Sequence, residues 1–240
     1  MELKRFFAEY VTPDTLRVDA EEFTHMTKVL RHKVGYRVIV NPSDGTDVYG
    51  EIVEMGRDYA IVRADEVRPN DALPQAEITL FQAIPKRDKM DWIVQKCVEL
   101  GVRRVVPIRT QYVNERDFAR DRAIRIADQA CKQCGRSLRM QVDAQTEWSD
   151  ALAMLADYDV VVMPYEHASC GAVGAIEGLR DARKIALIVG CEGGFAPSEV
   201  DRAEQAGARI VSLGRQILRC ETAAVVATAL VLYETGALRA

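Results

Sequence analysis

The feature that most constrains the fold is a regular alternation of short apolar segments and amphipathic helical segments, which begins near Glu77. The apolar segments predict strands at residues 77–84, 104–108, 158–163, 185–189 and 210–213. Helices are predicted at 88–100, 119–134, 197–206 and 221–235, with a helix on each side of 158–163. Strands that alternate with helices usually pair in parallel, and the helices cover both faces of the sheet. We therefore predict an α/β domain built on a parallel sheet.

The first part of the chain has a different pattern, in which short strand-like segments are separated by turn signals. The segments are residues 36–40, 48–53 and 59–62. One of the turns is Pro42-Ser43-Asp44-Gly45, and a short helix is predicted near residues 21–30. This pattern predicts a small antiparallel β-barrel.

A segment with two prolines and no apolar periodicity, Arg68–Gln75, separates the two patterns. It is the predicted linker between a β-barrel domain at residues 1–72 and an α/β domain at residues 73–240.

The composition excludes several classes of protein. The 240 residues are 48% hydrophobic and 28% charged, which supports a packed core and excludes a largely disordered chain. The net charge of −4 argues against a basic surface over the whole chain but leaves room for a local basic patch. The six cysteines have no disulfide-framework spacing, and no apolar leader or membrane-length segment is present. We expect a reduced, cytoplasmic protein without a membrane anchor.

Motifs for several common chemistries are absent. One CxxC pair, Cys131 and Cys134, and three scattered histidines give no reason to predict a metal site. The chain also lacks GxGxxG, the phosphate loop, GxSxG and HExxH. Dehydrogenases, P-loop enzymes, serine hydrolases and zinc peptidases are therefore disfavoured.

Two loops that follow predicted strands near the C-terminus are candidates for a ligand site. The first, Gly190–Phe195, has three glycines around one glutamate; the second, Gly214–Cys220, leads into the last predicted helix. Glycine permits positive φ and close approach of a ligand, and ligands of parallel sheets bind at the carboxyl ends of strands. A tight glycine-rich turn would explain the first loop equally well. In the second loop, Ile217 and Leu218 would be exposed apolar side chains unless they line a pocket, whereas Glu221 also suits a helix first turn.

A basic segment is a candidate for contact with nucleic acid. Residues 116–139 contain seven arginines or lysines and three aspartates, a local net charge of +4 in an acidic chain. Phosphate backbones attract such a segment, although a solvated helix face with internal ion pairs is the commoner explanation. A second basic cluster, residues 28–33, also favours RNA binding.

Five segments, in this order along nearly the whole chain, resemble a known family: the bacterial RsmE-type enzymes of the SPOUT superfamily, which methylate a uridine of small-subunit ribosomal RNA. The segments are Lys28–Arg31 with Val34-Gly35, Lys86 with Met90–Val102, Gln133–Arg136, Gly190–Phe195 and Leu213–Ala223. This sequence departs from the family pattern at Cys191, in place of proline, at Cys134, in place of serine, and at Gln111-Tyr112, in place of an arginine–serine pair.

The resemblance implies an architecture. The first domain would be a PUA-like RNA-binding β-barrel, and the second a SPOUT domain with a trefoil knot in its C-terminal part, an exception to the rule against threaded chains. A homodimer is also implied, with the last helix in the interface. The small and aliphatic residues offered for that interface are Ala224, Val225, Ala227, Thr228, Val231 and Leu232.

The resemblance also implies S-adenosylmethionine as cofactor, small-subunit ribosomal RNA or the assembled small subunit as partner, and no metal. The implied cofactor-binding residues are Pro164, Val189, Gly190, Gly193, Gly194, Leu213, Gly214, Ile217, Leu218, Glu221, Thr222 and Ala223. The implied RNA-binding residues are Lys28, Arg31, Lys33, Lys86, Arg120 and Arg136. The candidate catalytic residues are Arg136, Glu192 and Arg219.

The implied reaction is methylation of the uracil ring nitrogen between the two carbonyls, which must lose its proton and must be unpaired or flipped out. Arg136 would hold the RNA or the developing negative charge, and Arg219 and Glu192 would shape the pocket; the sequence does not identify the proton acceptor. One alternative is ribose 2′-O-methylation within the same superfamily. The other is a ribosome-assembly protein without catalysis, against which the intact loop glycines argue.

Overall fold

The chain divides into two compact units, and each of them contains a cluster of buried hydrophobic side chains. The computed structural model describes residues 3–86, 88–114, 117–168 and 171–238. The first unit contains the chain up to Leu73 together with Cys131–Arg139, and the second contains Pro74–Ala130 and the chain from Met140.

The first unit is built on a six-stranded sheet in the order β1-β4-β5-β6-β3-β2. Its strands are β1 (Arg5–Phe7), β2 (Glu9–Thr12), β3 (Thr15–Asp19), β4 (Arg37–Asn41), β5 (Thr46–Met55) and β6 (Tyr59–Pro69). A short helix, α1 (Ala20–Thr24), continues into one turn of π-helix at His25–Val29. All pairs are antiparallel except β1 with β4, so the predicted antiparallel arrangement is wrong at that edge. The first three strands were not predicted from the sequence.

The predicted linker begins inside a strand. β6 continues to Pro69 and pairs with β5 as far as Thr46. Its second half is mostly exposed, so it lacks the buried alternate residues that mark a strand in the sequence.

The segment Cys131–Arg139, which the sequence-based division assigns to the second domain, clusters with the first unit. The Lys132 ammonium forms an ion pair with Glu22, and the side-chain amide of Asn70 donates to the Gly135 carbonyl at 2.9 Å. The Arg139 guanidinium lies 4.1 Å from the centre of the Phe7 ring. These contacts explain why the segment groups with residues distant in sequence.

The second unit is built on a parallel sheet, as predicted. Its strands are β7 (Glu77–Ala83), β8 (Arg104–Arg109), β9 (Gln141–Val142), β10 (Thr146–Glu147), β11 (Val160–Pro164), β12 (Lys184–Val189) and β13 (Ala208–Val211). The order is β10-β8-β7-β12-β11-β13, with β9 also on β8, and every pair is parallel. The central strands are almost fully buried, because side chains on both of their faces pack against other elements.

The α-helices described after β7 are α2 (Lys89–Glu99), α3 (Arg120–Cys134), α4 (Trp148–Met154), α5 (Pro197–Gln205) and α6 (Cys220–Glu234). The last four residues of α3 belong to the first unit. The helix predicted after β11 is wrong. The described residues between β11 and β12 contain only two 3-10 turns, Val173–Ala175 and Leu179–Asp181. Glycines at 171, 174 and 178 disfavour a longer helix there. None of the helices in the described ranges has the length and apolar character needed to cross a membrane.

Helix α6 presents a different face from the one predicted for a dimer interface. Ala224, Ala227, Thr228, Val231 and Leu232 are buried within the chain, where α6 packs against α2, β7 and β12. The prediction that these residues form an intersubunit surface is therefore wrong. The choice of face failed because α6 is apolar all round: Val226, Ala229, Leu230 and Tyr233 lie on its less buried side.

Candidate functional site

An open cleft lies at the carboxyl ends of three adjacent strands, β12, β11 and β13. Because these strands are parallel, the loops that follow them meet at one edge of the sheet. The cleft is open to solvent, and about 120 Å³ of space lies within its walls. It is lined by Pro164–Glu166, Val189–Glu192, Gly194, Phe195, Ser212–Leu218, Cys220 and Ala223.

The loop after β12 depends on glycine. The Gly194 amide donates to the Cys191 carbonyl at 3.0 Å, and Gly194 has a φ of +66°, which L-residues rarely adopt. A Cβ atom on Gly190 would lie 3.1 Å from the Gly194 Cα atom. The glycines therefore permit a turn whose backbone, rather than side chains, faces the cleft.

A buried glutamine holds the start of this loop in place. Gln82, in β7, donates from its side-chain amide to the carbonyl oxygens of Ala83 at 2.9 Å and Gly190 at 3.1 Å. Gln82 was not among the residues predicted from the sequence. It is a polar residue inside an otherwise apolar strand, and that position could have indicated its role, because buried amides need hydrogen-bond partners.

The loop after β13 forms an apolar wall of the cleft. The Ser212 hydroxyl accepts the Gly214 amide at 3.2 Å, and Gly214 has a φ of +124°. Ile217 is 83% exposed, and Leu218 is half-buried. Ile217 and Leu218 both line this cleft. Most of the Ile217 side chain is uncovered and is available to pack against a ligand.

A lysine links the loop after β12 to the start of α6 through two glutamates. The Lys89 ammonium lies 2.9 Å from a Glu192 carboxylate oxygen and 3.5 Å from an oxygen of Glu221, in the first turn of α6. The Lys86 backbone amide also donates to the Glu192 carboxylate, at 3.1 and 3.2 Å. These contacts join the start of α2 to the loop after β12 and to the start of α6.

This cluster keeps its charges at neutral pH. Partial burial acts to raise the pKa of Glu192, but hydrogen bonds from Lys89 and from backbone amides outweigh it, and the pKa is lowered. Burial also acts to raise the pKa of Glu221. Hydrogen bonds from its own backbone amide and from Cys220, together with the positive charge of Lys89, outweigh this effect and lower the pKa. The hydrogen bond to Glu192 raises the pKa of Lys89.

Most of the implied cofactor-binding residues line the cleft: Pro164, Val189, Gly190, Gly194, Leu213, Gly214, Ile217, Leu218 and Ala223. The other three lie outside its lining. Gly193 lines a cavity beside Tyr112, Glu221 faces the cavity that also contains Lys89, and Thr222 is exposed in the first turn of α6. Cleft residues that were not predicted include Tyr165 and Glu166, which follow β11 directly.

The three candidate catalytic residues are in different environments. Glu192 lines the cleft, and Arg219 is exposed at the N-cap of α6. Arg136 belongs to the first unit and is only 2% exposed; its Nε donates to the Leu138 carbonyl at 2.6 Å. Arg136 therefore does not offer a surface contact in this chain.

The other implied RNA-binding residues, Lys28, Arg31, Lys33, Lys86 and Arg120, are exposed. Part of the basic segment is used within the protein, since Arg122 pairs with Asp91 at 2.5 Å and Lys132 pairs with Glu22. Arg116, the first residue of that segment, lies outside the described residues. Within the described ranges, no group of three or more histidine, cysteine or acidic side chains is arranged to hold a metal ion.

The cleft thiols should react slowly with alkylating reagents. Burial, with the neighbouring carboxylates, raises the pKa of Cys220 to about 12, and burial also raises the pKa of Cys191. The reactive species is the thiolate, so we expect iodoacetamide at pH 8 to label exposed Cys134 well before Cys191 or Cys220. Peptide mass spectrometry over a time course measures the order. Labelling of Cys220 before Cys134 would contradict this environment.

Comparisons with known proteins agree with this arrangement. The family model described as an RNA methyltransferase domain matches residues 71–232. The chain is 28% identical to ribosomal RNA small subunit methyltransferase E of Bacillus subtilis (strain 168), over 99% of both chains. It is 32% identical to the protein of the same name from Aquifex aeolicus (strain VF5), over 64% of this chain and 67% of that one.

A solved structure is also similar along the chain. The ribosomal RNA small subunit methyltransferase E of Neisseria gonorrhoeae, bound to S-adenosyl methionine, superimposes with a TM-score of 0.86 at 27% identity, covering 97% of this chain and 98% of that one. The family model matches most of the second unit, and the Bacillus subtilis relative matches nearly the whole chain. The chain therefore belongs to the RNA methyltransferase family, among the ribosomal RNA small subunit methyltransferase E proteins.

Proposed function

We propose that this protein transfers a methyl group from S-adenosylmethionine to the ring N3 of a uridine in small-subunit (16S) ribosomal RNA. The observation that carries the proposal is the single cleft formed by the loops after β12 and β13. The names of the relatives, and the cofactor bound in the Neisseria gonorrhoeae structure, support the reaction class. A ribosomal RNA substrate would place the enzyme in the cytoplasm.

The cleft has the chemistry that this cofactor requires. Leu213, Ile217 and Leu218 offer apolar surface for the adenine ring, and the glycine loop offers backbone groups without Cβ atoms in the way. The carboxylates of Glu166 and Glu192 line the same cleft and suit the positive charge of a sulfonium. When bound, S-adenosylmethionine supplies an activated methyl group, so the protein's contribution is alignment, charge stabilisation and removal of a proton.

The residues would divide these tasks. Glu192, ionised at neutral pH, is our candidate to accept the proton that the uracil nitrogen loses, while Arg219 would stabilise negative charge at the mouth of the cleft. Arg136 enters the proposal as a residue that holds residues 131–139 in their conformation, because its guanidinium is buried and bonded to Leu138. This role replaces the direct RNA contact implied by the family resemblance.

The first domain, residues 1–72, would bind RNA as a PUA-like barrel. Its six-stranded sheet supports that architecture. Three exposed basic residues, Lys28, Arg31 and Lys33, are close in sequence to exposed Val29 and Tyr36. The basic side chains could bind phosphates, and the two other side chains offer apolar surface for unpaired bases.

We also propose the trefoil knot of the SPOUT superfamily. β13 is an edge strand, yet the helix that follows it, α6, packs against β12 and β7 in the middle of the sheet. α6 also contacts the 3-10 turns of the β11–β12 connection. Contacts of one helix with the central strands and with an earlier connection support a chain that has passed through that connection.

The proposed homodimer would use the outer side of α6. Leu230 and Tyr233 are exposed there, next to half-buried Val226 and Ala229. An apolar helix face of this kind is typical of subunit interfaces.

Methyl transfer to ribosomal RNA tests the proposal. Small ribosomal subunits from cells that lack the modification are incubated with the protein and radiolabelled S-adenosylmethionine, and the RNA is digested to nucleosides. We expect the label in N3-methyluridine. Label on a ribose 2′-oxygen would show that the protein is a ribose methyltransferase and not a base methyltransferase. Absence of label, with both intact subunits and naked RNA, would favour the assembly protein without catalysis.

A further inference from the structure

A second cavity adjoins the cofactor cleft. It is lined by Lys86, Asp88, Lys89, Trp92, Glu192 and Glu221. Glu192 borders both cavities, so whatever occupies the second cavity meets the cofactor cleft at this carboxylate.

The cavity contains an exposed tryptophan. Trp92, on α2, is 42% exposed, whereas the other tryptophan of the chain, Trp148, is buried. A large exposed aromatic side chain beside charged groups is a common platform for unpaired nucleic-acid bases, because every base has a face that can stack on it.

The charged groups around Trp92 match one kind of base. The pairing edge of uracil presents an acceptor, a donor and an acceptor in sequence. The cavity is lined by two lysines, Lys86 and Lys89, whose ammonium groups are donors, and by the Glu192 carboxylate, an acceptor that lies 2.9 Å from the Lys89 ammonium. Cytosine, whose N3 carries no proton and whose amino group is a donor, does not match this set.

We propose that this cavity receives the target uracil of an unpaired RNA nucleotide, with its ring stacked on Trp92 and its pairing edge toward Lys86, Glu192 and Lys89. The inference rests on the proposed function, because it supplies the substrate site for that reaction. It places the ring nitrogen at Glu192, where the two cavities meet.

Substitution of Trp92 tests the stack. Trp92→Ala should lower kcat/KM for RNA by about 5- to 150-fold, the range expected for loss of one base–aromatic stack, and leave the affinity for S-adenosylmethionine unchanged. Trp92→Phe, which keeps an aromatic face, should retain most of the activity. Thermal unfolding of both variants checks that the exposed substitution does not disturb the fold.

A matched pair of lysines on α2 tests the polar edge. Lys89→Gln should lower methyl transfer by about 10-fold or more, in line with the loss of one charge-assisted hydrogen bond. Lys96→Gln is the control, because Lys96 is on the same helix, is equally exposed at 31%, and also forms an ion pair, with Glu99 at 2.8 Å. Equal effects of the two substitutions would overturn the role of Lys89.

Fluorescence tests the site without catalysis. In a Trp148→Phe variant Trp92 is the only tryptophan that emits. A uridine hexanucleotide should quench its fluorescence saturably and more strongly than a cytidine hexanucleotide.

Absence of quenching, or wild-type transfer by Trp92→Ala, would overturn the inference while the proposed function stands. A Trp92→Ala protein that becomes monomeric in analytical ultracentrifugation would assign Trp92 to a subunit contact instead. Wild-type protein that neither binds cofactor nor transfers methyl would refute the proposed function, and the quenching titration would still decide the base site.

Discussion

Replacing Gly194 with valine is expected to weaken S-adenosylmethionine binding by at least ~100-fold, equivalent to about 2.8 kcal/mol. Gly194 has a φ of +66°, a conformation that a β-branched residue resists strongly. A Cβ atom there would also lie 2.6 Å from a Glu166 carboxylate oxygen, so Glu166 would have to move within the cleft. The turn that lines the cleft would lose its conformation. Isothermal titration calorimetry with S-adenosylmethionine measures the change.

A valine at Gly207 is the matched control. Gly207 also has a positive φ, +92°, and no atom lies within 4 Å of its Cβ position, so the backbone strain is of the same kind. Gly207 follows α5 and is not among the residues that line the cleft. Gly207→Val should lose some thermal stability and keep its affinity for the cofactor. If the two variants bind equally well, the loop after β12 is not the cofactor site.

Glu192→Gln is expected to lower methyl transfer by about 10²- to 10⁴-fold, the usual contribution of a positioned general base. The amide keeps the size of the side chain but cannot take up a proton at neutral pH. Cofactor affinity should change less than transfer, because the backbone of the loop is unaltered and the Glu166 carboxylate still faces the cleft. Single-turnover transfer to small-subunit RNA, with titration of the cofactor in parallel, separates the two effects.

Glu99→Gln is the control for removing a charge. Glu99 also accepts a hydrogen bond from a lysine of α2, Lys96, but lies at the far end of that helix. The pH profile gives an independent check. Because the pKa of Glu192 is lowered, its ionised form persists to lower pH than that of an ordinary glutamate, and transfer should be lost only as the pH falls through the lowered value. Glu192→Gln with wild-type turnover would exclude Glu192 as proton acceptor.

The alternation of strands and helices was sufficient to predict the parallel sheet. Ile185–Val189 reads as a buried strand because nearly every side chain is apolar, and it is central in the structure. The loops after β12 and β13 were predictable as a ligand site for a related reason. Consecutive parallel strands place their carboxyl ends at one edge, so two unusual loops after such strands are expected to meet.

Other features depended on contacts that sequence spacing does not encode. The inward face of α6 could not be chosen, because Val226 and Leu230 are as apolar as Ala227 and Val231. A direct RNA contact by Arg136 was implied by the family resemblance, whereas its side chain is buried and bonded to a backbone carbonyl. Lys89 was not singled out in the sequence, and only the fold brings it to Glu192, 103 residues later in the chain.

If residues 190–195 and 213–218 form one S-adenosylmethionine pocket, the cofactor should protect both segments. Hydrogen–deuterium exchange of the wild-type protein, with and without a saturating concentration of the cofactor, measures this protection. We expect slower exchange in both segments together, with the same dependence on cofactor concentration. Protection of one segment alone, or protection confined to another part of the chain, would contradict it.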